Sequence, residues 1–396
     1  MKKRLQHRGR IVEEVLRSAS FALVLTVLLV PALTAHAQIF TVLYTFTGGT
    51  DGSNPSVGLI RDAQGNLYGT TRAGGGSNCS GGCGTVFKLD TTGKFTLLHT
   101  FNGRGDGKNP FAGLIRDGSG NLYGTAFSGG ASKLGTVFKL NAAGKQSVLH
   151  NFLGIEGANP AAGLTRDAEG NLYGTAQRGG AFKCGTVFKL KPSTTGDVTV
   201  LHTFTGGLDG GNPAASLLRD AAGNLYGTTI LGGSSNAGTV FKLDADGDET
   251  VLHSFNGTDG ESPYAGLIGD AAGNLYGTTL YGGASYGTIF KLDAAGNETV
   301  LHSFTGTPDG AGPSAGLIRD AAGNLYGTTY LGGTYGWGTV FKLDRAGNET
   351  VLHSFTSGQD GAVPLGGLIR DAQGNLYGTA YYGGAYGAGT VFKVTP

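Results

Sequence analysis

A unit of about 50 residues, written seven times, limits what this chain can fold into more than any other feature. The string Asn-Leu-Tyr-Gly-Thr begins at Asn66, Asn121, Asn171, Asn224, Asn274, Asn324 and Asn375. A second string, Gly-Thr-Val-Phe-Lys with Ile289 once replacing valine, begins at Gly84, Gly135, Gly185, Gly238, Gly287, Gly338 and Gly389. A third, Val-Leu-His-x-Phe with near variants, contributes His99, His150, His202, His253, His302 and His353, and Tyr44 takes the seventh place. A unit of this length cannot bury its own apolar face, so neighbouring units must bury it for each other.

The unit reads as β throughout. The chain holds 75 glycines in 396 residues. At that density a helical protein would lose about 1 kcal/mol at each helical glycine. Collagen is excluded because no Gly-X-Y period runs through the chain, and 39% apolar residues argue against simple disorder. In the fifth unit, short strand-like runs fall at 265–268, 274–279, 287–292 and 298–304, separated by Asp-Ala-Ala-Gly and Gly-Gly turns. Four strands per unit match a propeller blade, whereas solenoid coils are usually shorter. The last unit stops after its third run, and a spare strand sits at 40–46. The expectation is an all-β, seven-bladed β-propeller over 38–396, closed by the N-terminal strand pairing into the last blade and so free of exposed sheet edges.

These repeats resemble the GloVer (Gloeo/Verruco) tandem repeat of exported bacterial proteins. The motifs D-G-x-x-P, G-L-I-R-D-x-x-G-N-L-Y-G-T, G-G and G-T-V-F-K-L-D recur in order over 39–396. They also follow the plan of NHL-type propeller repeats. The resemblance implies a propeller and carries over no catalytic residue.

Residues 1–37 differ in kind. Lys2, Lys3, Arg4, Arg8, Arg10 and Arg17 precede an apolar run from Phe21 to Leu33 and then Ala35-His36-Ala37. That order reads as a signal peptide cleaved near Ala37, the run being short for a membrane span. The expected address is secreted or periplasmic, with no membrane association of the mature form. The segment holds six of the 29 Lys and Arg and two of the 28 Asp and Glu, which leaves the remainder at net −3. That balance argues against nucleic acid as a partner.

Residues present in every unit read as blade maintenance. The glycine of Asn-Leu-Tyr-Gly-Thr allows close backbone approach, with the adjacent tyrosine expected to cover it. Strict alternation would put His253 on one face with Val251 and Phe255, hydrogen-bonded to a neighbouring aspartate or hydroxyl. A shared metal ion is not expected, because rim positions on different blades should diverge. The Arg-Asp pairs, such as Arg319-Asp320 and Arg370-Asp371, read as turn and cap residues. D-G-x-x-P, at Asp51, Asp106, Asp209, Asp259, Asp309 and Asp360 with Glu156 in the third copy, reads as a blade connector. Cys79 and Cys83 flank an expanded loop and fit a short disulfide in an exported chain. Cys184 is left over, and burial is expected for it.

Function should break the symmetry. The loops after the second strand vary most: those of blades 1–3 hold Arg72, Lys133, Arg178 and Lys183. Those of blades 5–7 hold Tyr281, Tyr286, Tyr330, Tyr335, Tyr381, Tyr382 and Tyr386, together with the single tryptophan, Trp337. Aromatic residues on glycine-rich loops make recognition surfaces with little rotamer entropy to lose. The reading is a monomeric binding or scaffold module for an extracellular glycan or protein, with no cofactor, metal or catalytic residue assigned. A carbohydrate- or lactone-active enzyme and a self-association module stand as alternatives. No Walker motif, G-x-S-x-G elbow or H-E-x-x-H occurs.

Overall fold

The computed structural model describes residues 38–192 and 197–396. The signal-peptide reading of 1–37 falls outside them. Each repeat folds into one antiparallel four-stranded sheet, and seven such sheets form the ring. Blade 5 is typical, with β18 (Ile268–Gly269), β19 (Leu275–Thr279), β20 (Thr288–Leu292) and β21 (Glu298–Ser303) in sequential order. Blade 7 is made of β26 (Ile369–Arg370), β27 (Leu376–Ala380) and β28 (Thr390–Thr395), and β1 (Ile39–Thr45) pairs with β28 as its outermost strand. The propeller and its closure are therefore as the repeat count requires.

The innermost strand is shorter than its sequence run implied. Only Ile268 and Gly269 pair with β19, while Ala265 and Gly266 continue unpaired along the central axis. Position 269 is an arginine in the six other blades, and Asp270 behind it organises the turn. Its carboxylate accepts the backbone N–H of Asn274, the Asn274 side-chain amide and the Tyr276 hydroxyl. Burial pushes the Asp270 pKa up, but these donors outweigh it and hold the group at about 2. The arginines extend toward the preceding blade. Arg116, Arg219, Arg319 and Arg370 lie over the tyrosine ring of the preceding blade, as with Arg319 5.8 Å from the Tyr276 centroid.

The core sits between blades rather than within them. Phe255 at the end of blade 4 and Phe290 on β20 are both fully buried and meet edge to face at 5.1 Å. The same pairing recurs at every seam, including Phe46–Phe87 and Phe355–Phe392 on either side of the closed blade. A hydroxyl tie accompanies it. Thr278 donates to the Ala315 carbonyl of the next blade, and Thr379 donates to the Val57 carbonyl, joining blade 7 to blade 1. The strand glycine is covered from across the sheet, not by its neighbouring tyrosine. A Cβ on Gly277 would stand 2.6 Å from the Phe290 ring and 2.9 Å from Leu267, and Phe290 is the register partner of Gly277.

The outer strand departs from strict alternation. A β-bulge places His253 opposite Val240 and Val251 opposite Phe241. Those partners are consecutive residues and point to opposite faces, so His253 and Val251 do not share one. The bulge turns each histidine toward the connector acid: His253 Nε2 lies 3.0 Å from Asp259 Oδ2, and His302 Nε2 3.1 Å from Asp309 Oδ2. The acids also cap the chain after the strand, as Asp259 does for the Asn256 N–H.

Candidate functional site

All variable loops lie on one face of the ring. The loop after each second strand bridges to the connector entering its own blade, at Ser53–Ala73, Lys108–Ser128, Ala158–Arg178, Gly211–Leu231, Glu261–Tyr281, Ala311–Leu331 and Ala362–Tyr382. This common frame presents two variable side chains per blade. The first variable residue, such as Leu280 or Tyr330, borders the axis. The second, such as Tyr281 or Tyr382, stands further out and exposed.

The axis itself holds a cavity of about 460 Å³ lined by the small residues of the innermost segments, among them Ala112, Ala162, Ala265 and Gly316. No aspartate, glutamate or histidine lines it. Its mouth is shaped by residues that follow the connector proline, where Phe111 and Tyr264 stand in place of the alanine, serine or leucine of the other blades. Ser56 and Ser314 occupy the same position and bring buried hydroxyls that have no hydrogen-bond partner among the described residues. Sequence reasoning missed these mouth residues, although one variable position next to an invariant proline was the available signal.

Two grooves flank the mouth. The first, about 730 Å³, runs over blades 1–3 between Arg72, Lys108, Lys133, Phe111 and Phe127, and Tyr264 of blade 5 reaches it across the mouth. Arg72 lies 5.2 Å from the Phe111 centroid and donates from Nη1 to the Tyr381 hydroxyl at 3.1 Å. Cys79, on the rim of this groove, is joined to Cys83, with their Cα atoms 5.4 Å apart. Cys184 is unpaired and half-buried rather than buried, and its thiol points at the Phe182 carbonyl.

The second groove, about 480 Å³, lies between the loops of blades 5 and 6 and is lined by Tyr281, Tyr286, Tyr330, Ser285, Thr305 and Thr307, with no charged side chain. Burial and a hydrogen bond shared with Tyr281 push the Tyr330 hydroxyl pKa up, and its ring closes the groove toward the axial cavity, which it also lines. Tyr330 fits because of Gly312. A Cβ there would stand 2.1 Å from the ring, and the backbone has φ +63°. Four other connectors carry asparagine at this position, Asn54, Asn109, Asn159 and Asn212, each in the same left-handed conformation.

The structure thus gathers Tyr281, Tyr286 and Tyr330 and separates the rest of the aromatic set. Tyr335 and Trp337 project from the blade 6 loop, 59% and 43% exposed. Tyr381 turns toward Arg72 and packs edge to face on Tyr382 at 4.5 Å. Tyr386 is 66% exposed and lines neither groove.

The Gloeobacter/Verrucomicrobia repeat matches residues 76–286 and 217–396. The chain belongs to this repeat family. Among curated proteins no sequence matches it. Among solved structures it is similar to the extracellular domain of a candidate hybrid two-component system from B. thetaiotaomicron, at 15% identity and TM-score 0.58, over 90% of this chain and 41% of that one. A second extracellular domain of that organism, also from a candidate hybrid two-component system, gives 12% identity and TM-score 0.58 over 89% of this chain and 39% of that one. The chain therefore spans about two fifths of those proteins. A candidate 6-phosphogluconolactonase from Bacteroides uniformis gives 16% identity and TM-score 0.50, over 75% of this chain and 84% of that one. At these identities the likeness concerns the propeller fold alone.

One more element of this repeat frame lies at the outer rim. In blades 7 and 1 the outer-strand residue registered with the end of the third strand faces the histidine, or Tyr44, of the preceding blade. Phe40 stacks on His353 with centroids 3.7 Å apart, and Phe95 stacks on Tyr44 at 4.6 Å. At three consecutive seams the same register position is glutamate: Glu249, Glu298 and Glu349. Burial, and then the charge of Asp209, Asp259 and Asp309 respectively, push each pKa up to about 7. The expectation that rim positions on different blades diverge is therefore overturned for adjacent blades, since ligand-type atoms of His253, Asp259 and Glu298 lie within 4.8 Å of one another.

Proposed function

We propose that the protein is an exported binding module that holds a neutral glycan chain in the aromatic groove between blades 5 and 6. The observation that carries this reading is the lining of that groove: three tyrosines, hydroxyls and backbone, and no charge. Sugar rings present apolar faces bordered by hydroxyls. Tyrosine offers a flat apolar ring and a polar tip to such a surface at small entropic cost. The apolar h-region and Ala-x-Ala of residues 1–37 support export.

The lactonase reading has weaker support. Its motivation is the shared propeller, and fold does not imply function. General acid–base catalysis needs a titratable group at the reacting centre, and the axial cavity where such groups would converge is lined without a carboxylate or imidazole. Screening the protein on an array of neutral oligosaccharides tests the proposal. Saturable binding that is lost in Tyr281→Ala and Tyr286→Ala is expected. Binding that survives both changes, or hydrolysis of a lactone panel without glycan binding, would sink it.

A further inference from the structure

Outside the loop face, the strongest unexplained chemistry is at the rim seam between blades 4 and 5. His253 comes from the outer strand of blade 4, Asp259 from the connector, and Glu298 from the outer strand of blade 5. The imidazole Nε2 and Asp259 Oδ2 stand 3.0 Å apart. Two ligands on a tetrahedral divalent ion at the usual bond lengths are about 3.4 Å apart, so this pair is already spaced as neighbouring ligands. Glu298 brings the third donor within 4.8 Å of both. One of its oxygens, Oε1, is shut off from solvent and has no hydrogen-bond partner. A solvent-excluded carboxylate oxygen in a side chain that feels the charge of a second carboxylate lacks a positive counterpart.

We infer that His253, Asp259 and Glu298 form a divalent transition-metal site that cross-links blades 4 and 5 at the rim. The donor set of one imidazole and two carboxylates suits zinc and its borderline neighbours better than calcium, which prefers six or more oxygens. Asp259 remains anchored by the Asn256 amide at 2.9 Å, which holds its carboxylate in place as an outer partner does at metal centres. Three protein ligands leave a fourth position open on the rim. The adjoining seams carry the same residue types, His202 with Asp209 and Glu249, and His302 with Asp309 and Glu349. Among the described residues only the 4–5 seam brings its three donors together.

The test uses the full chain, stripped with chelator, then titrated with Zn²⁺ by calorimetry and with Co²⁺ by visible absorption. Saturable binding is expected, with cobalt d–d bands of low coordination number and a rise in melting temperature on zinc addition. Glu298→Gln should remove one equivalent and its cobalt bands, or weaken them on the order of tenfold or more. His253→Gln, which removes the imidazole donor from the opposite blade, should abolish the same equivalent. It keeps the inference testable even if Glu298→Gln fails to fold. Absence of saturable binding at millimolar metal, or binding unchanged in Glu298→Gln, would overturn the site.

Discussion

Two sectors of one face, built on the same backbone frame, have taken opposite chemical characters. The groove over blades 1–3 is basic, with Arg72, Lys108 and Lys133 around Phe111 and Phe127. The groove over blades 5 and 6 is uncharged and tyrosine-lined. Beneath both, the packing is the same: Gly124 under Phe138 in blade 2 repeats Gly277 under Phe290 in blade 5. The difference teaches that the repeat separates its duties by position. Strand and connector positions maintain the ring, and two loop positions per blade are free to specify a surface.

That division is open to direct attack. The largest effect should come from the shared frame. Gly124→Ala and Gly277→Ala each force a methyl to within 2.9 Å of two buried side chains and should each cost about 2–3 kcal/mol of stability by denaturant unfolding. Unequal costs would show that the two sectors do not share one core. A smaller but sector-specific effect is expected from Gly312→Asn, which writes the connector residue of blades 1–4 under Tyr330. It should displace that ring and weaken glycan binding on the order of tenfold, since lining aromatics dominate such contacts. Thermal stability should fall far less than in Gly277→Ala.

Val363 offers the reverse experiment. It occupies the same connector position with φ +57°, a conformation that costs a β-branched residue about 1–2 kcal/mol. In Asn54, Asn109 and Asn159 the amide donates to a loop carbonyl of the preceding blade. Val363→Asn should therefore stabilise the protein by about 1 kcal/mol, and a lower unfolding midpoint would contradict this reading of the connector.

The smallest effect concerns pH. The turn aspartates, Asp270 and its equivalents Asp62, Asp117, Asp167, Asp220, Asp320 and Asp371, are held below the ordinary range in the folded state. Their contribution is present above pH 4 and is lost as pH falls toward 2. Glu249 and Glu349 run the other way. Their folded pKa of about 7 lies above the ordinary 4.5, so stability is present below 4.5 and lost as pH rises through 7. Melting temperature should peak near pH 4–5. Glu249→Gln with Glu349→Gln should recover about 0.5 kcal/mol per site near pH 7.5, after discounting for solvent screening, and little at pH 4.5. A flat difference between the two pH values would contradict it.

Much of this architecture was legible in the chain. Seven copies of Asn-Leu-Tyr-Gly-Thr, and a last unit short of one strand, required seven blades and closure by a strand read at 40–46, which β1 (Ile39–Thr45) on β28 confirms. An aspartate or hydroxyl partner for each histidine was also readable, whereas its identity as the connector acid is set by the fold. What escaped was whatever depends on contacts across a seam. The bulge before His253 reverses alternation, and only the register with Val240 and Phe241 reveals it. Glu298 meets Asp259 only once two blades close on each other. On the loop face, the tyrosine-rich blades were evident as composition, but Tyr281, Tyr286 and Tyr330 form a groove while Tyr381 is drawn away by Arg72 of the first blade.

The most direct test of the glycan groove uses the chain's own reporter. Trp337 is the single tryptophan, it is 43% exposed, and its backbone bridges to Gly332 on the groove wall. Titration with neutral oligosaccharides should change its fluorescence saturably. The change should disappear in Tyr281→Ala with Tyr286→Ala and persist in Lys108→Ala, which alters only the basic sector. A response that survives loss of both tyrosines, or one abolished by Lys108→Ala, would contradict the account.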